Sequence, residues 1–186
     1  ALHGNNRVSN EELCSTCHNP NATDINRRVA GSACQTVTGT LDDESIDFKF
    51  MIHSIHAGAD YKVCAFGNNG YDFSEVSYPG RLNNCEGCHL AGKYYPNAGL
   101  NPTTRDVGAS RTVLTDDVGI SGNTATCFAC HRSDLAATHM RQNGGNFAAQ
   151  KTATGTEVGG SQETCGICHG QGRSADGTLT WSWKVA

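Results

Sequence analysis

Four times along this 186-residue chain, two cysteines three positions apart are followed at once by a histidine. The stretches are Cys14-Ser-Thr-Cys17-His18, Cys85-Glu-Gly-Cys88-His89, Cys127-Phe-Ala-Cys130-His131 and Cys165-Gly-Ile-Cys168-His169. Two thiols at this spacing on one turn can add to the two vinyl groups of one porphyrin, and the next residue then lies under the iron as an axial ligand. Paired cysteines also build tetrahedral zinc sites. The histidine decides between the two. With only 8 histidines in the chain, one after every pair would arise by chance roughly 3 times in a million. The pattern predicts four covalently bound haems c, attached at Cys14, Cys17, Cys85, Cys88, Cys127, Cys130, Cys165 and Cys168, with His18, His89, His131 and His169 as proximal iron ligands.

The composition asks for such a filling. Leu, Ile, Val and Phe together make up only about 17% of the chain, a level typical of disordered sequences. Disorder of that kind also needs a large net charge, and here the formal charge is -4. Four flat, largely apolar porphyrins would supply the missing interior. The expected fold class is therefore a multihaem cytochrome c of mostly loops, a few short α-helices and little β, with the haems forming the core. The modest acidity argues against a nucleic-acid partner. Haem propionates would add to it and bring the oxidised protein to about -8. No apolar run approaches the roughly 20 residues of a membrane span, so no transmembrane segment is expected. Haem is attached to such motifs only after export, so Ala1 reads as a processed N-terminus.

The attachment sites are unevenly spaced, and the first stands apart from the other three. One tetrahaem domain is expected over 1–186, with a first-haem segment at 1–82 and a three-haem block at 83–186. Glycine-, asparagine- and threonine-rich stretches at 67–70, 97–110, 119–126 and 143–161 read as loops. Ser9-Asn-Glu-Glu12 resembles a capping box leading into the first site. The stretch Asp43 to His56 predicts a helix, acidic at its start and stopped by Gly58, and a second helix is predicted from Ser133 to Gln142 before Gly144-Gly145. Thr178 to Val185 alternates like a terminal strand, with Trp181 and Trp183 on one face, buried against a haem or against a partner.

Four histidines remain once the proximal ones are assigned: His3, His53, His56 and His139. Their number equals the number of sixth iron positions, which predicts bis-histidine ligation throughout. His53 and His56 share one helix face and cannot both reach one iron from the same side, so they should serve two neighbouring haems. His139 is too near His131 to wrap around that haem and should ligate another. His3 could ligate within its own chain or across a subunit junction. Met51 and Met140, the competing axial ligands, are better explained by packing. The two leftover cysteines, Cys34 and Cys64, are expected to form a disulfide in an oxidising compartment, which would constrain the unfolded chain by about 3 kcal/mol. Two separate buried thiols are the rival reading.

Several stretches resemble the outer-surface multihaem cytochromes of metal-reducing bacteria, the OmcA/MtrC family. They are Phe50-Met-Ile-His-Ser-Ile-His-Ala-Gly58, Cys85-Glu-Gly-Cys-His89, Cys127-Phe-Ala-Cys-His-Arg-Ser-Asp134 continuing to Thr138-His-Met140, and Glu163-Thr-Cys-Gly-Ile-Cys-His-Gly170. The resemblance implies His53, His56 and His139 as distal ligands. Those cytochromes carry ten haems in four domains, two of them β-barrels, and this chain has no room for a barrel. A short four-haem chain with these motifs is most similar to an OmcE-type extracellular cytochrome filament subunit. That likeness implies a homopolymer with haem-to-haem subunit contacts, trading electrons with other redox cytochromes or extracellular acceptors.

A fully ligated iron has no vacant place for a substrate, so the expected role is electron transfer rather than enzymatic catalysis. The chain should be exported and act at the cell surface or outside the cell. A soluble periplasmic electron shuttle is the alternative. A multihaem reductase is a third reading, and it would need an open iron.

Overall fold

A computed structural model describes residues 3, 10–39, 43–96, 103–106, 113, 115–151, 157–158 and 163–175. The tail strand expected at 178–185, with Trp181 and Trp183, lies outside them. Helices α1 (Glu11–Cys17), α2 (Ala33–Thr38) and α3 (Phe48–His56) come first, followed by a short antiparallel pair, β1 (Lys62–Cys64) and β2 (Gly70–Asp72). Then come β3 (Thr103–Asp106), β4 (Asp117–Ile120), α4 (Gly122–Phe128), α5 (Asp134–Gln142), β5 (Ala149–Lys151), β6 (Glu157–Val158) and α6 (Cys165–His169). Strands β3 to β6 form an antiparallel sheet in sequence order, with Thr103 opposite Ile120, Val118 opposite Gln150 and Gln150 opposite Val158. Few helices, short strands and much irregular chain match the expected mostly-loop architecture.

Several boundaries differ from expectation, each for a tertiary reason. Helix α1 is capped by Asn10, whose side chain accepts from Leu13 N, so the cap sits one residue later than the Ser9 box placed it. Helix α3 starts at Phe48, not Asp43, because 43–47 is used for pairing with the chain before it. Asp24 N donates to the Glu44 carbonyl, Ile46 N donates to the Ala22 carbonyl, and Ser45 bridges Thr23. Asp43 and Glu44 are buried there rather than exposed in a first helical turn. The stop is as expected, with Gly58 at φ +58°. Helix α5 matches its prediction: Ser133 Oγ accepts from Ala136 N, and Gly144 turns the chain at φ +86°.

The expected loops are the main correction. Stretch 119–126 holds the end of β4 and most of α4, 97–110 holds β3, 143–161 holds β5 and β6, and 67–70 runs into β2. Their local residues are weak helix and strand formers, and partners distant in sequence supply the order.

The core is small. Phe50, Tyr61, Val63, Ile120, Ala125 and Ala129 form its buried cluster, flanked by Ile46, Met51, Ile55, Phe73, Phe128 and Phe147. Tyr61 is fully buried, donates its hydroxyl to the Ser45 carbonyl at 2.7 Å, and has its pKa pushed well up by burial. Cys34 and Cys64 form a disulfide with Cα atoms 5.4 Å apart, joining α2 to β1. Asp24 knits the same lobe. Its carboxylate takes a bidentate pair from Arg28 at 2.9 and 2.8 Å and accepts from Glu44 N at 2.8 Å and Cys64 N at 2.7 Å.

Candidate haem sites

The four attachment motifs share one local geometry. In the first three, the histidine N–H donates to the carbonyl of the first cysteine at 2.9 Å, closing a single helical turn; the fourth lies inside α6. Such a turn sets both thiols on one side and the histidine at its end. In every motif the first cysteine is half-buried and the second exposed, and all eight are free of disulfides. Burial pushes the Cys127 thiol up to about 11. Leu13, Leu90 and Ile167, each beside or inside a motif, are exposed apolar side chains, as expected of walls that a porphyrin would cover.

Two proximal rings are anchored through the nitrogen that a metal would leave free. His18 Nδ1 is 2.8 Å from the Ile46 carbonyl, and His169 Nδ1 is 3.1 Å from the Ala175 carbonyl. With Nδ1–H donating, Nε2 is the unprotonated, ligating nitrogen.

Three of the four histidines left over in sequence lie beside a motif histidine. Ring centroids are 5.9 Å apart for His3 and His18, 6.0 Å for His53 and His89, and 6.2 Å for His139 and His169. A metal–nitrogen bond of about 2 Å on each side, plus half of each ring, puts two imidazoles that share one metal about 6 Å apart. The residues present thus fit a ligated iron. The spacings have local causes. Thr164 N–H donates to the Asn143 carbonyl at 3.0 Å, docking the start of α6 on the end of α5 and so His169 near His139. Phe48 N–H donates to the His18 carbonyl at 2.9 Å, holding the first motif against the start of α3.

Burial lowers the pKa of His53, and the neighbouring His89 and His56 lower it further, so the ring is held neutral, the form that binds metal. Neither His56 nor His131 has an imidazole neighbour at such a distance among the described residues. The His56 ring centroid lies 5.2 Å from that of Tyr78. His131 ends the turn after α4, which packs on α3. Met140 is buried, and Met51 packs on the core. Among the described residues no three His, Cys, Asp or Glu side chains converge on one metal position.

Sequence reasoning passed over the residues that frame these sites. Arg132, next to His131, donates to Ser54 Oγ and the Asp60 carbonyl, both at 3.0 Å, and lies over the rings of Phe50 and Phe128. Tyr94 lies beside His89, its ring tilted by 52°, and approaches Tyr95 and Glu86 through its hydroxyl. Glu163, two residues before Cys165, caps α4 from outside. The only local signal for these roles was proximity to a motif.

Cysteine pairs on single turns, each followed at once by a histidine, are the construction of a c-type cytochrome. A family model described as outer membrane cytochrome MtrC/MtrF-like, domains II/IV, matches residues 1–180. The chain belongs to that family, which makes it an exported cell-surface cytochrome with covalently bound haem c and a part in extracellular electron transfer. Comparison with curated proteins and with solved structures returns no significant match. Among the described residues no helix is long and apolar enough to cross a membrane.

Proposed function

We propose that the chain conducts electrons through four closely packed haems c, each held by two histidines. The observation that carries this reading is the set of three imidazole pairs at 5.9 to 6.2 Å. They support His18 with His3, His89 with His53 and His169 with His139 as axial pairs. The remaining two, His131 and His56, make the fourth, supported by the packing of α4 on the helix that carries His56. Haem supplies one-electron redox chemistry when bound. The histidine pairs would hold the iron, backbone carbonyls would fix the orientation of the His18 and His169 rings, and no place would be left for a substrate.

The ring of His3 beside His18 favours ligation within one chain over a histidine bridge between subunits. A polymer with haem-to-haem contacts therefore needs another junction, and this part of the proposal rests on likeness to OmcE-type filaments. Its donors and acceptors would be other redox cytochromes and extracellular electron acceptors.

The test is optical and paramagnetic spectroscopy of the mature protein, with carbon monoxide added after reduction. Four haems per chain, all low-spin and none binding carbon monoxide, are expected. Binding near one per chain would mean an open iron and would turn the reading toward a reductase. Negative-stain microscopy separates filament from monomer.

A further inference from the structure

Glu163 is held in an unusual way for a residue in irregular chain. Its Oε1 accepts from Ser121 Oγ at 2.6 Å, Thr124 Oγ1 at 2.6 Å and Thr124 N at 2.8 Å, and its Oε2 accepts from Asn123 N at 2.9 Å. The proton positions are fixed. Ser121 Oγ already accepts from Asn146 N at 2.9 Å, so its own proton goes to Glu163. Ser121, Asn123 and Thr124 are all buried. Helix α4, which these residues open, carries Cys127, and Glu163 stands just ahead of Cys165 on α6. Burial raises the pKa of both thiols, and the Glu163 charge raises each further.

We propose that Glu163 is an electrostatic control residue. It fixes one negative charge between the third and fourth attachment helices and holds the reduction potentials of the groups attached there below the values they would otherwise have. This rests on covalent attachment at both motifs, as in the reading above. The physical argument is short. Reduction takes a haem centre from one net positive charge to none, so a nearby anion favours the oxidised form, and partial burial weakens the screening of that interaction. Four donors keep the carboxylate ionised. They also point the start of α4 at the charge, so its removal would leave the positive helix end uncompensated and add to the effect.

The experiment is a spectroelectrochemical titration of the mature protein and two variants. In Glu163→Gln, two of the four one-electron couples should rise, each by about a tenfold change in the ratio of reduced to oxidised form, or about 59 mV. The other two should stay in place, and the spectrum should remain low-spin. Thr124→Val is close to isosteric, removes one donor and leaves the charge, so the same two couples should fall by a smaller amount. Opposite signs are the signature of a charge. A purely structural role would loosen the same contacts in both variants and move the couples the same way. If neither variant moves any couple, if all four move together, or if both variants shift them in one direction, the proposal is overturned. Where Glu163→Gln fails to mature, Thr124→Val decides alone. Carbon monoxide binding by the wild-type protein reports separately on axial ligation, so failure of that reading is distinguishable from failure of this one.

Discussion

Replacing Asp24 by alanine should be the costliest single change in the first-haem segment. The Asp24 carboxylate is buried and accepts four hydrogen bonds, two from the Arg28 guanidinium and one each from Glu44 N and Cys64 N. Arg28 is buried with it, and its side chain also donates to the Lys62 carbonyl at 3.2 Å. Alanine would strand a buried guanidinium, which costs about 3–5 kcal/mol, and would deprive two backbone N–H groups of their acceptor, at about 1–3 kcal/mol each. These losses overlap, since water can enter the same cavity, so the expected total is about 4 kcal/mol, near the middle of the range for a broken buried pair. Denaturant unfolding of the mature protein, followed by far-ultraviolet circular dichroism with the disulfide intact, measures it. Adding Arg28→Met to Asp24→Ala should recover part of the loss, because the orphaned cation goes with it. The change should also reach the first motif. Glu44 lies two residues before Ile46, whose carbonyl holds His18 Nδ1, so the low-spin signals of one haem should broaden before the others. A loss below about 1 kcal/mol, the value of an exposed ion pair, would refute the reasoning.

Three further outcomes are expected. His53→Ala and His56→Ala should each create one high-spin, carbon monoxide-binding haem, with different spectra because the irons differ; identical spectra would contradict service to two haems. Gly70→Ala should destabilise the disulfide lobe by about 1–3 kcal/mol in thermal unfolding, because a Cβ there would lie 2.6 Å from Val37 Cβ and 3.0 Å from Cys34 Cα. The Glu163 carboxylate should show in acid unfolding. Desolvation pushes its pKa up, but hydrogen bonds from Ser121, Thr124 and Asn123 outweigh this and hold it below the usual carboxylate value. A folded-state pKa below the unfolded one gives stability that is present above the unfolded value and lost as pH falls through the folded value. Glu163→Gln should therefore flatten the acid limb of stability below about pH 4.5, measured as unfolding midpoint against pH.

What was legible in the sequence was local chemistry. Ser133, Asp134 and the Gly144-Gly145 pair are a complete set of start and stop signals, and α5 forms between them. Cys34 and Cys64 could be paired because no other cysteine lay outside a motif. Helix α4 was not legible. Gly122, Asn123 and Thr124 are poor helix formers, and the acceptor for the Asn123 and Thr124 N–H groups, Glu163, arrives from about forty residues away. The start of α3 was misread because Asp43 and Glu44 look like a charged first turn, whereas the fold buries them in pairing with 22–24. The histidine count implied four axial pairs but not which ring meets which. That matching depends on how α6 docks on α5 and how the second motif meets α3.

Helix α3 shows how little polypeptide the arrangement uses. It is nine residues long, too short to persist alone in water, and its Asp47 cap position makes no side-chain capping bond. Yet it carries two proposed ligands, and their one-face spacing would set two irons side by side. Its geometry must come from the flank that meets the core. Phe50 and Ser54 are buried there, Phe50 packs edge-on against Tyr61 at 6.0 Å, and Arg132 reaches from the third motif to Ser54 Oγ and to the Asp60 carbonyl beyond the helix end. Arg132 thus ties the third motif to the helix that bears His53 and His56. Any movement of the third motif would be transmitted to α3, so in the proposed arrangement the spacing between neighbouring haems would be set by side-chain contacts across the sequence rather than by a rigid secondary-structure frame.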